Sequence, residues 1–210
     1  MKYQAIVLAA GDSTRANLSY NKVLHKIGDN SIIFYSAQNF LLDKDCEKLY
    51  LVCKEVYISL LKEIFINYEK VDYVIGGKTR QESVKNALEK VNSEYVIIHD
   101  GARPYFTVKL LENLKEKLNE YNGVIPVISS TDTLKIVKDN IVIKTIKRDE
   151  VKRVQTPQGF KTSVLLHAHN KALNNNYTDD SSIIEELTEE KIYVIDGEVN
   201  NIKYTNKEDF

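Results

Sequence analysis

Cysteine is scarce in this sequence, and long apolar segments are absent. The two cysteines, Cys46 and Cys53, are too few for a disulfide framework, and their spacing matches no metal-binding motif. Cys53 falls inside an apolar run at residues 49–53, which predicts a buried thiol. No stretch approaches the ~18 apolar residues of a membrane span, and the N-terminus leads directly into a strand without a basic leader segment. These absences predict a soluble, cytoplasmic protein.

The charges are almost balanced, with 29 basic and 30 acidic residues and a net charge of −1. This balance produces no field that would attract nucleic acid or an anionic membrane, and no basic strip is interleaved with aromatic residues. Any anionic ligand must therefore be held by a local cluster of cations. The 210 residues, 43% of them hydrophobic, are enough for a full core, and the length suggests one large domain or one domain with an appendage. We expect a single domain over residues 1–210.

Three well-known sequence fingerprints are also missing. The loop LAAGDSTRANLSYNK at residues 8–22 follows a short apolar run and has the look of a phosphate loop. A Walker A loop, however, would need glycine and lysine where Ala16 and Asn17 stand, and a dinucleotide fingerprint would need glycines at Ser13 and Ala16. There is also no Gly-x-Ser-x-Gly elbow to suggest covalent catalysis. The loop keeps a single glycine, Gly11.

Short apolar runs alternate with helical periodicity along most of the chain. Unbroken runs predict strands at residues 4–9, 49–53, 71–75, 95–99 and 123–128. Because these runs do not alternate with polar residues, both faces of the sheet should be covered. Apolar stripes predict helices at residues 56–68, 84–91, 110–121, 162–174 and 180–190, with short final strands at 191–195 and 202–205. The pattern predicts an α/β fold, a mostly parallel sheet flanked by helices with ligands at the carboxyl ends of its strands.

Residues 129–155 interrupt this rhythm. Two short apolar segments, 134–137 and 141–143, flank the turn-forming residues 138–140 and predict a β-hairpin. We expect this protruding segment to form a β-arm over residues 130–154 that packs against a partner subunit. A surface hairpin on its own domain is the alternative.

Charged residues follow two of the predicted strands. Arg15 and Lys22 accompany Gly11 in the first loop, which forms either an anion site or a structural turn. Asp100 comes directly after the fourth predicted strand and is placed to hold a divalent cation. The alternative is that Asp100 only pairs with Arg103 or caps the next helix.

Three other stretches carry weaker signals. Gly76 and Gly77 follow the third strand and either let the backbone approach a ligand or form a turn, and Ser83 opens the next helix. Lys203 lies between apolar residues in the last predicted strand, so it needs an anionic partner or must extend to solvent. Residues 178–180 (Thr-Asp-Asp) indicate first a helix N-cap and second an acidic site.

The chain as a whole resembles the 2-C-methyl-D-erythritol 4-phosphate cytidylyltransferases. The resemblance is carried by LAAGxxxR, the lysine at position 22, GGxxRQxSV, HDGARP, DTLK, QTPQGF, TDD and NIKYT. Their order and spacing extend over nearly the whole chain, and the set is specific where no single motif would be. The ribitol 5-phosphate cytidylyltransferases share most of these motifs.

The resemblance implies a Rossmann-like nucleotidyltransferase that joins CTP and a sugar-alcohol phosphate, uses Mg²⁺, and dimerises as a homodimer through the β-arm. By this resemblance, Ala10, Gly11, Arg15 and Lys22 bind the phosphates of CTP, and Lys203 contacts its α-phosphate. Gly76, Gly77 and Ser83 recognise the cytosine, and Ala102 lies near the nucleoside. Asp100 lies near the metal, with Arg103 beside it. The resemblance assigns the second substrate to Thr133 and Arg148 of the partner's arm, supported by Asp132, Lys135 and Thr156. The expected catalytic cations are Arg15, Lys22 and Lys203.

The implied chemistry agrees with the residues present. The phosphate of the second substrate is already ionised at neutral pH, so its attack on the α-phosphorus of CTP needs no general base. Positioning and charge stabilisation are needed instead, which suits lysine, arginine and a divalent cation. The HDGARP motif favours methylerythritol phosphate as substrate. Ribitol 5-phosphate, and a nucleotide-binding regulator without catalysis, are the alternatives.

Overall fold

The computed structural model describes residues 1–13, 20–173 and 177–210. Within these residues, an eight-stranded sheet carries helices on both faces, and two small two-stranded sheets are separate from it. The strands are β1 (Tyr3–Leu8), β2 (Lys26–Ile27), β3 (Asn30–Ser31), β4 (Cys46–Cys53), β5 (Val71–Ile75), β6 (Tyr95–Asp100), β7 (Gly123–Ser129), β8 (Lys135–Lys138), β9 (Ile141–Thr145), β10 (Lys152–Val154), β11 (Gln158–Lys161) and β12 (Tyr193–Asp196). The helices are α1 (Ile32–Leu42), α2 (Ile58–Ile64), α3 (Arg80–Leu88), α4 (Val108–Leu118), α5 (Thr162–Lys171) and α6 (Asp180–Leu187).

The sheet is mixed but mostly parallel. Its strand order is β10-β7-β11-β6-β1-β4-β5, and β12 also pairs with β7. β1 pairs in parallel with β4 and β6, and β4 pairs in parallel with β5, so the carboxyl ends of these four strands meet at one edge. β11 is antiparallel to both of its neighbours. The parallel edge is where ligands bind in such folds.

Apolar residues cover both faces of the sheet, as the unbroken strand runs predicted. Helices α1, α2 and α4 bury Phe40, Leu61 and Leu114 on one face, and α3, α5 and α6 bury Val84 and Leu165 on the other. Full burial of such a side chain contributes about 1.5–3 kcal/mol, which makes this two-sided packing the main stabilising contribution to the fold. The five main predicted strands are all present, shifted by at most three residues.

Two central elements lie outside the sequence predictions, and one predicted strand is wrong. α1 reads IIFYSAQNFLL, which has apolar residues on most sides and therefore shows no clear amphipathic stripe. β11 has only four residues, and it lies between β6 and β7. The segment 202–205, predicted as a strand, has irregular backbone. It is held by one backbone hydrogen bond, from the amide of Tyr204 to the carbonyl of Ala102 (2.9 Å), and not by a strand ladder.

The inserted segment forms the predicted hairpin. Among the described residues, β8 and β9 pair only with each other. Asp139 and Asn140 form the turn with φ values of 50° and 62°, the left-handed pair that a tight two-residue hairpin turn requires. Every residue of both strands is exposed. The role of this arm in dimerisation stays a prediction.

Both cysteines are buried free thiols, as predicted for Cys53. Burial raises the pKa of Cys46 and of Cys53 to about 11, so neither is a thiolate at neutral pH. Within the described ranges, none of the helices has the length and apolar character needed to cross a bilayer.

Candidate active site

A cleft of about 420 Å³ opens where β1, β4, β5 and β6 end. Its volume lies within the range of small-molecule sites, roughly 300–1,000 Å³. Among the residues predicted to bind the nucleotide, it brings together Ala10, Gly11, Lys22, Gly77, Ser83, Asp100, Ala102 and Lys203. Arg15, also predicted for this site, lies outside the described residues.

The charge of this first cleft suits a polyanion. Its described lining carries five cationic side chains against two carboxylates, namely Lys22, Lys54, Lys78, Arg80 and Lys203 against Asp12 and Asp100. The protein as a whole has a net charge of −1, so the excess of positive charge is local. A cleft with low-dielectric walls concentrates such a potential. The balance predicted from composition, a local cluster of cations without a global field, is therefore present.

The first loop is tied at both of its ends. Ser13 has a φ of 57°, a conformation that glycine adopts more readily. Its hydroxyl accepts a hydrogen bond from the backbone amide of Lys22 at 2.8 Å. The side-chain amide of Asn21 donates to the carbonyl of Ala9 at 2.6 Å. Ser13, which breaks the glycine fingerprint, thus closes the loop through its hydroxyl and holds Lys22 at the cleft.

Asp12 is the acidic residue of this loop and would oppose a bound polyphosphate. Its carboxylate forms an ion pair with the ammonium group of Lys54, which directly follows β4. The hydrogen bond from Lys54 to Asp12 raises the pKa of Lys54. The pair cancels the negative charge of Asp12 at the mouth of the cleft.

Asp100 is the centre of a charged cluster at the end of β6. The Nζ of Lys203 lies 2.7 Å from its Oδ2, the Nε of Arg103 lies 3.7 Å from the same oxygen, and the Nε of Arg80 lies 3.5 Å from Oδ1. Burial alone would raise the pKa of Asp100, but Lys203, Arg80 and Arg103 together hold it well below its usual range. The carboxylate is therefore charged near neutral pH, and it is the anionic partner that Lys203 was predicted to need.

A second cleft, of about 350 Å³, lies on the other side of this cluster. From the predicted set it contains Arg103 and Thr156. Arg80, Asp100 and Lys203 line both clefts, and we call these three residues the shared wall. Two anions bound in the two clefts would meet across the shared wall, where positive charge predominates.

Sequence reasoning missed the contribution of Arg80, which the glycine-turn alternative left in solvent. Its side chain is only 26% exposed, and its Nη2 lies 2.8 Å from the Oδ2 of the fully buried Asp180. The helix N-cap predicted within residues 178–180 is Asp179, whose carboxylate accepts from the amide of Ser182. The Thr-Asp-Asp motif was the only sequence signal for Asp180.

His99 connects the walls of both clefts through hydrogen bonds. Burial lowers the pKa of His99 to about 4, so the ring is neutral near pH 7. Its Nε2 lies 2.9 Å from the carbonyl of Arg103, and this nitrogen carries the proton because a carbonyl only accepts. Its Nδ1 then accepts from the hydroxyl of Thr156 at 3.0 Å, and the same hydroxyl accepts from the amide of Asp100 at 3.0 Å. The hydroxyl hydrogen of Thr156 is therefore committed to His99.

The paired glycines form a compact turn between β5 and α3. The amide of Gly77 donates to the hydroxyl oxygen of Ser83 at 3.0 Å, and that hydroxyl donates to the carbonyl of Thr79 at 2.9 Å. A Cβ added at Gly76 would lie 2.4 Å from the Cβ of Ala10. Gly76 therefore lets this turn touch the first loop. The expected recognition of a base by Gly76 and Gly77 stays a prediction.

We expect Gly76→Ala to lower the free energy of unfolding by about 1–3 kcal/mol, the usual cost of overpacking. The added methyl group would collide with Ala10 and would also lie 3.0 Å from the Oγ of Ser83. Urea unfolding measures the change. Gly11→Ala is the matched control, because a Cβ there meets no atom of the described residues within 4 Å. Equal stability of the two variants would contradict the packing argument.

The residues predicted on the arm do not reach either cleft of the same chain. Asp132, Thr133, Lys135 and Arg148 are all exposed. In the part of the chain that the structure describes, no residue between 131 and 150 lines the first or the second cleft. Their predicted contact with a substrate therefore requires the arm of a second copy and stays a prediction.

One carboxylate of the shared wall is suited to a metal ion. Apart from the undescribed segments, the chain contains no group of three or more His, Cys, Asp or Glu side chains that could hold a metal by themselves. Mg²⁺ commonly binds through one or two carboxylates together with substrate phosphates. The ionised Asp100, facing a cleft suited to a polyanion, fits a site of that kind.

Known proteins resemble this chain over its whole length. Residues 3–210 match the family model for 2-C-methyl-D-erythritol 4-phosphate cytidylyltransferase. The protein of that name from Bacillus mycoides (strain KBAB4) is 36% identical over 213 residues, covering 99% of this chain and 94% of the relative. The crystal structure of 4-diphosphocytidyl-2C-methyl-D-erythritol synthase from Anaerococcus prevotii DSM 20548 has a TM-score of 0.88 and 30% identity, covering 99% and 94% of the two chains. The bifunctional IspDF from Campylobacter jejuni has a TM-score of 0.86 and 32% identity, and this chain spans 53% of its length.

Proposed function

Because the chain belongs to the 2-C-methyl-D-erythritol 4-phosphate cytidylyltransferase family, we propose that it joins CTP and 2-C-methyl-D-erythritol 4-phosphate. The products are 4-diphosphocytidyl-2-C-methyl-D-erythritol, an intermediate of non-mevalonate isoprenoid biosynthesis, and pyrophosphate. The observation that carries this proposal is the shared wall of Arg80, Asp100 and Lys203, because one cation-rich surface contacts two clefts. Both substrates are small dissolved phosphates, so we assign the enzyme to the cytoplasm.

In the proposed reaction, CTP occupies the first cleft and the sugar-alcohol phosphate occupies the second. A phosphate oxygen of the second substrate attacks the α-phosphorus of CTP in line. The new oxygen–phosphorus bond forms as the bond to the β-phosphate breaks, and pyrophosphate leaves with the electron pair. The attacking phosphate is already ionised, so no residue has to remove a proton. This agrees with the neutral, buried state of His99, which faces Thr156 and not the cleft.

The residues of the first cleft stabilise negative charge in this proposal. Lys22, held at the cleft by Ser13, contacts the triphosphate, and Lys203 contacts the α-phosphate from the shared wall. Arg15 adds a third catalytic cation from the same loop. Asp100 would hold Mg²⁺ together with phosphate oxygens, and the ion would neutralise charge on the triphosphate. Preorganised cations in a cleft are the usual source of catalysis in phosphoryl transfer.

The second cleft is completed by a partner subunit in this proposal, so the enzyme acts as a homodimer. An isolated two-stranded hairpin is marginally stable in water. The arm nonetheless exposes large apolar side chains, including Ile141 at 66% and Ile143 at 62%. Contiguous exposed apolar residues mark interaction surfaces. With the arm docked on a second copy, Thr133 and Arg148 would contact the sugar phosphate beside Thr156, supported by Asp132 and Lys135.

Pyrophosphate release in the presence of CTP and Mg²⁺ tests the proposed reaction. We expect a higher kcat/KM with 2-C-methyl-D-erythritol 4-phosphate than with ribitol 5-phosphate. Faster turnover of ribitol 5-phosphate would refute the proposed substrate. Binding of CTP without pyrophosphate release from either alcohol phosphate would identify a regulator and refute the enzymatic proposal.

Arg148→Ala should mainly raise the KM for the sugar phosphate, because the lost cation contacts that substrate from the partner's arm. Mixing this variant with Lys22→Ala should restore activity, since each heterodimer then has one site with both residues intact. Random mixing makes half of the dimers heterodimers, so about a quarter of wild-type activity is expected. Heterodimers that form without activity would disprove the cross-subunit site.

A further inference from the structure

Arg80 lies between two carboxylates. Its Nε is 3.5 Å from Oδ1 of Asp100 at the shared wall, and its Nη2 is 2.8 Å from Oδ2 of Asp180. The side chain of Asp180 is completely buried, and the Nε2 of the equally buried His169 lies 3.7 Å from its Oδ1. Asp180 lines neither cleft. Its route to the shared wall is therefore through the guanidinium of Arg80.

This arrangement breaks two local rules of stability. Arg80 is the first residue of α3, where the positive end of the helix dipole disfavours a cation. Asp180 is removed from water, and buried ion pairs seldom stabilise a protein more than apolar residues of the same volume would. Burial would raise the pKa of Asp180, but Arg80 and His169 lower it on balance, so the pair is charged. Charges that violate local rules in this way are characteristic of functional sites.

We propose that Arg80, anchored by Asp180, is a positioning residue that holds the Asp100 carboxylate at the shared wall. The inference rests on the proposed function, because the orientation of Asp100 matters only where phosphates and a cation meet. The guanidinium restrains Oδ1 of Asp100 while Lys203 and Arg103 contact Oδ2, so the carboxylate cannot rotate freely. Partners behind a metal ligand commonly orient it in this way.

Asp180 also reduces the positive charge of Arg80 that acts on Asp100. While Asp180 is ionised, part of the positive charge of Arg80 is neutralised on the side away from Asp100. Without that carboxylate, Arg80 would pair wholly with Asp100 and compete with a metal ion for it. Removing Arg80 would leave Oδ1 of Asp100 unrestrained, and Asp180 would lose its link to the metal ligand. The effect of Asp180 on metal binding should therefore depend on the presence of Arg80.

Binding of CTP tests whether Asp180 acts on metal binding through Arg80, and no turnover is needed. The measured quantity is the gain in CTP affinity that Mn²⁺ produces. It is measured on the full chain by isothermal titration calorimetry, with and without the ion. Asp180→Asn should reduce this gain roughly tenfold, the scale typical of partners behind a metal ligand. Arg80→Gln should also reduce it, because Oδ1 of Asp100 loses its restraint, and the double variant should match Arg80→Gln alone. The matched control is Asp72→Asn, which breaks an exposed pair with Lys48 (3.6 Å) and should leave the gain unchanged.

Two outcomes would overturn the proposal. One is an unchanged gain in folded Asp180→Asn protein, even with a lowered Tm, because a purely structural pair would behave in that way. The other is that Asp180→Asn reduces the gain equally in the wild-type protein and in the Arg80→Gln variant.

If Asp180→Asn does not fold, Arg80→Lys replaces it, since one ammonium group cannot bridge both carboxylates. That variant should lose kcat about tenfold at unchanged KM for CTP, and a wild-type kcat would overturn the proposal. Wild-type protein that binds CTP but releases no pyrophosphate would refute the proposed function, while the calorimetric coupling would still be measurable.

Discussion

Lys22→Ala is expected to slow pyrophosphate release by about 10²–10³-fold, the usual cost of removing one preorganised donor from a developing negative charge. The expectation rests on how the lysine is held. Its backbone amide donates to Ser13, and the side chain of the preceding Asn21 is bonded to the carbonyl of Ala9. The side chain lines the first cleft from a backbone held by these two hydrogen bonds, so the lysine is placed at the cleft before phosphate binds. In this proposal Lys22 stabilises the transition state and does more than attract CTP.

Steady-state kinetics distinguishes these two roles for Lys22. Loss of transition-state stabilisation lowers kcat and kcat/KM together, whereas loss of simple binding raises KM at an unchanged kcat. Lys26→Ala is the matched control, because Lys26 is an exposed lysine four residues further on that lines neither cleft. It should keep wild-type kcat. A near-normal kcat in Lys22→Ala would remove this residue from the catalytic set.

The fold could be predicted from sequence to the extent that strands are continuous apolar runs. Residues 95–99 were predicted as a strand, and β6 covers Tyr95–Asp100, because a strand buried on both faces is apolar along most of its length. Helix α1 was not predicted for a related reason. A helix with apolar residues on most sides lacks the amphipathic stripe by which helices are recognised in a sequence. For residues 202–205 the error was the reverse, because a strand was predicted where the structure has none. Only Tyr204 of its two apolar residues is buried, Ile202 is exposed, and the segment forms no strand ladder.

The site was predictable where local order places residues at strand ends, and it was not where distant segments meet. Asp100 is the last residue of a buried strand, so topology alone puts it at the ligand edge. Its partner Arg103 lies three residues further on, and that pair was one of the sequence alternatives. Arg80 and Lys203 come from distant segments, and no local pattern indicates that they contact the same carboxylate. Asp180 was read as part of a helix cap because capping is the local role of Thr-Asp-Asp. Its pairing with Arg80 is a tertiary contact.

The buried His99 should make the stability of the protein depend on pH in a defined window. Burial lowers its pKa in the folded state to about 4, against 6.5 for an exposed histidine. Between pH 6.5 and about 4, His99 is therefore protonated in the unfolded chain but neutral in the folded protein. The free energy of unfolding decreases as the pH falls through this window. Each pH unit in this window costs about 1.4 kcal/mol. The contribution of His99 should therefore fall by about 3 kcal/mol between pH 7 and pH 4.

The hydrogen bonds of His99 explain why its ring stays neutral in the folded protein. Its Nε2 already donates to the carbonyl of Arg103, and its Nδ1 accepts from Thr156. Protonation of Nδ1 would turn that acceptor into a donor, leave the hydroxyl hydrogen of Thr156 without its acceptor, and place a charge in the core beside Arg103. Asp100 itself contributes in a different window, because its pKa is depressed below the ordinary 3.8 and its stabilisation is lost only at still lower pH. The interval from pH 6.5 to 4.5 therefore reports mainly on His99.

Urea unfolding at several pH values measures this dependence, and the slope of the unfolding free energy against pH is the decisive quantity. His99→Gln cannot titrate, so its slope between pH 6.5 and 4.5 should be shallower than that of the wild type, even if its stability is lower throughout. His167→Gln, at an exposed histidine of α5, is the matched control and should keep the wild-type slope. Equal slopes in wild type and His99→Gln would mean that the ring is protonated in the folded state, and Thr156 could then no longer donate to it.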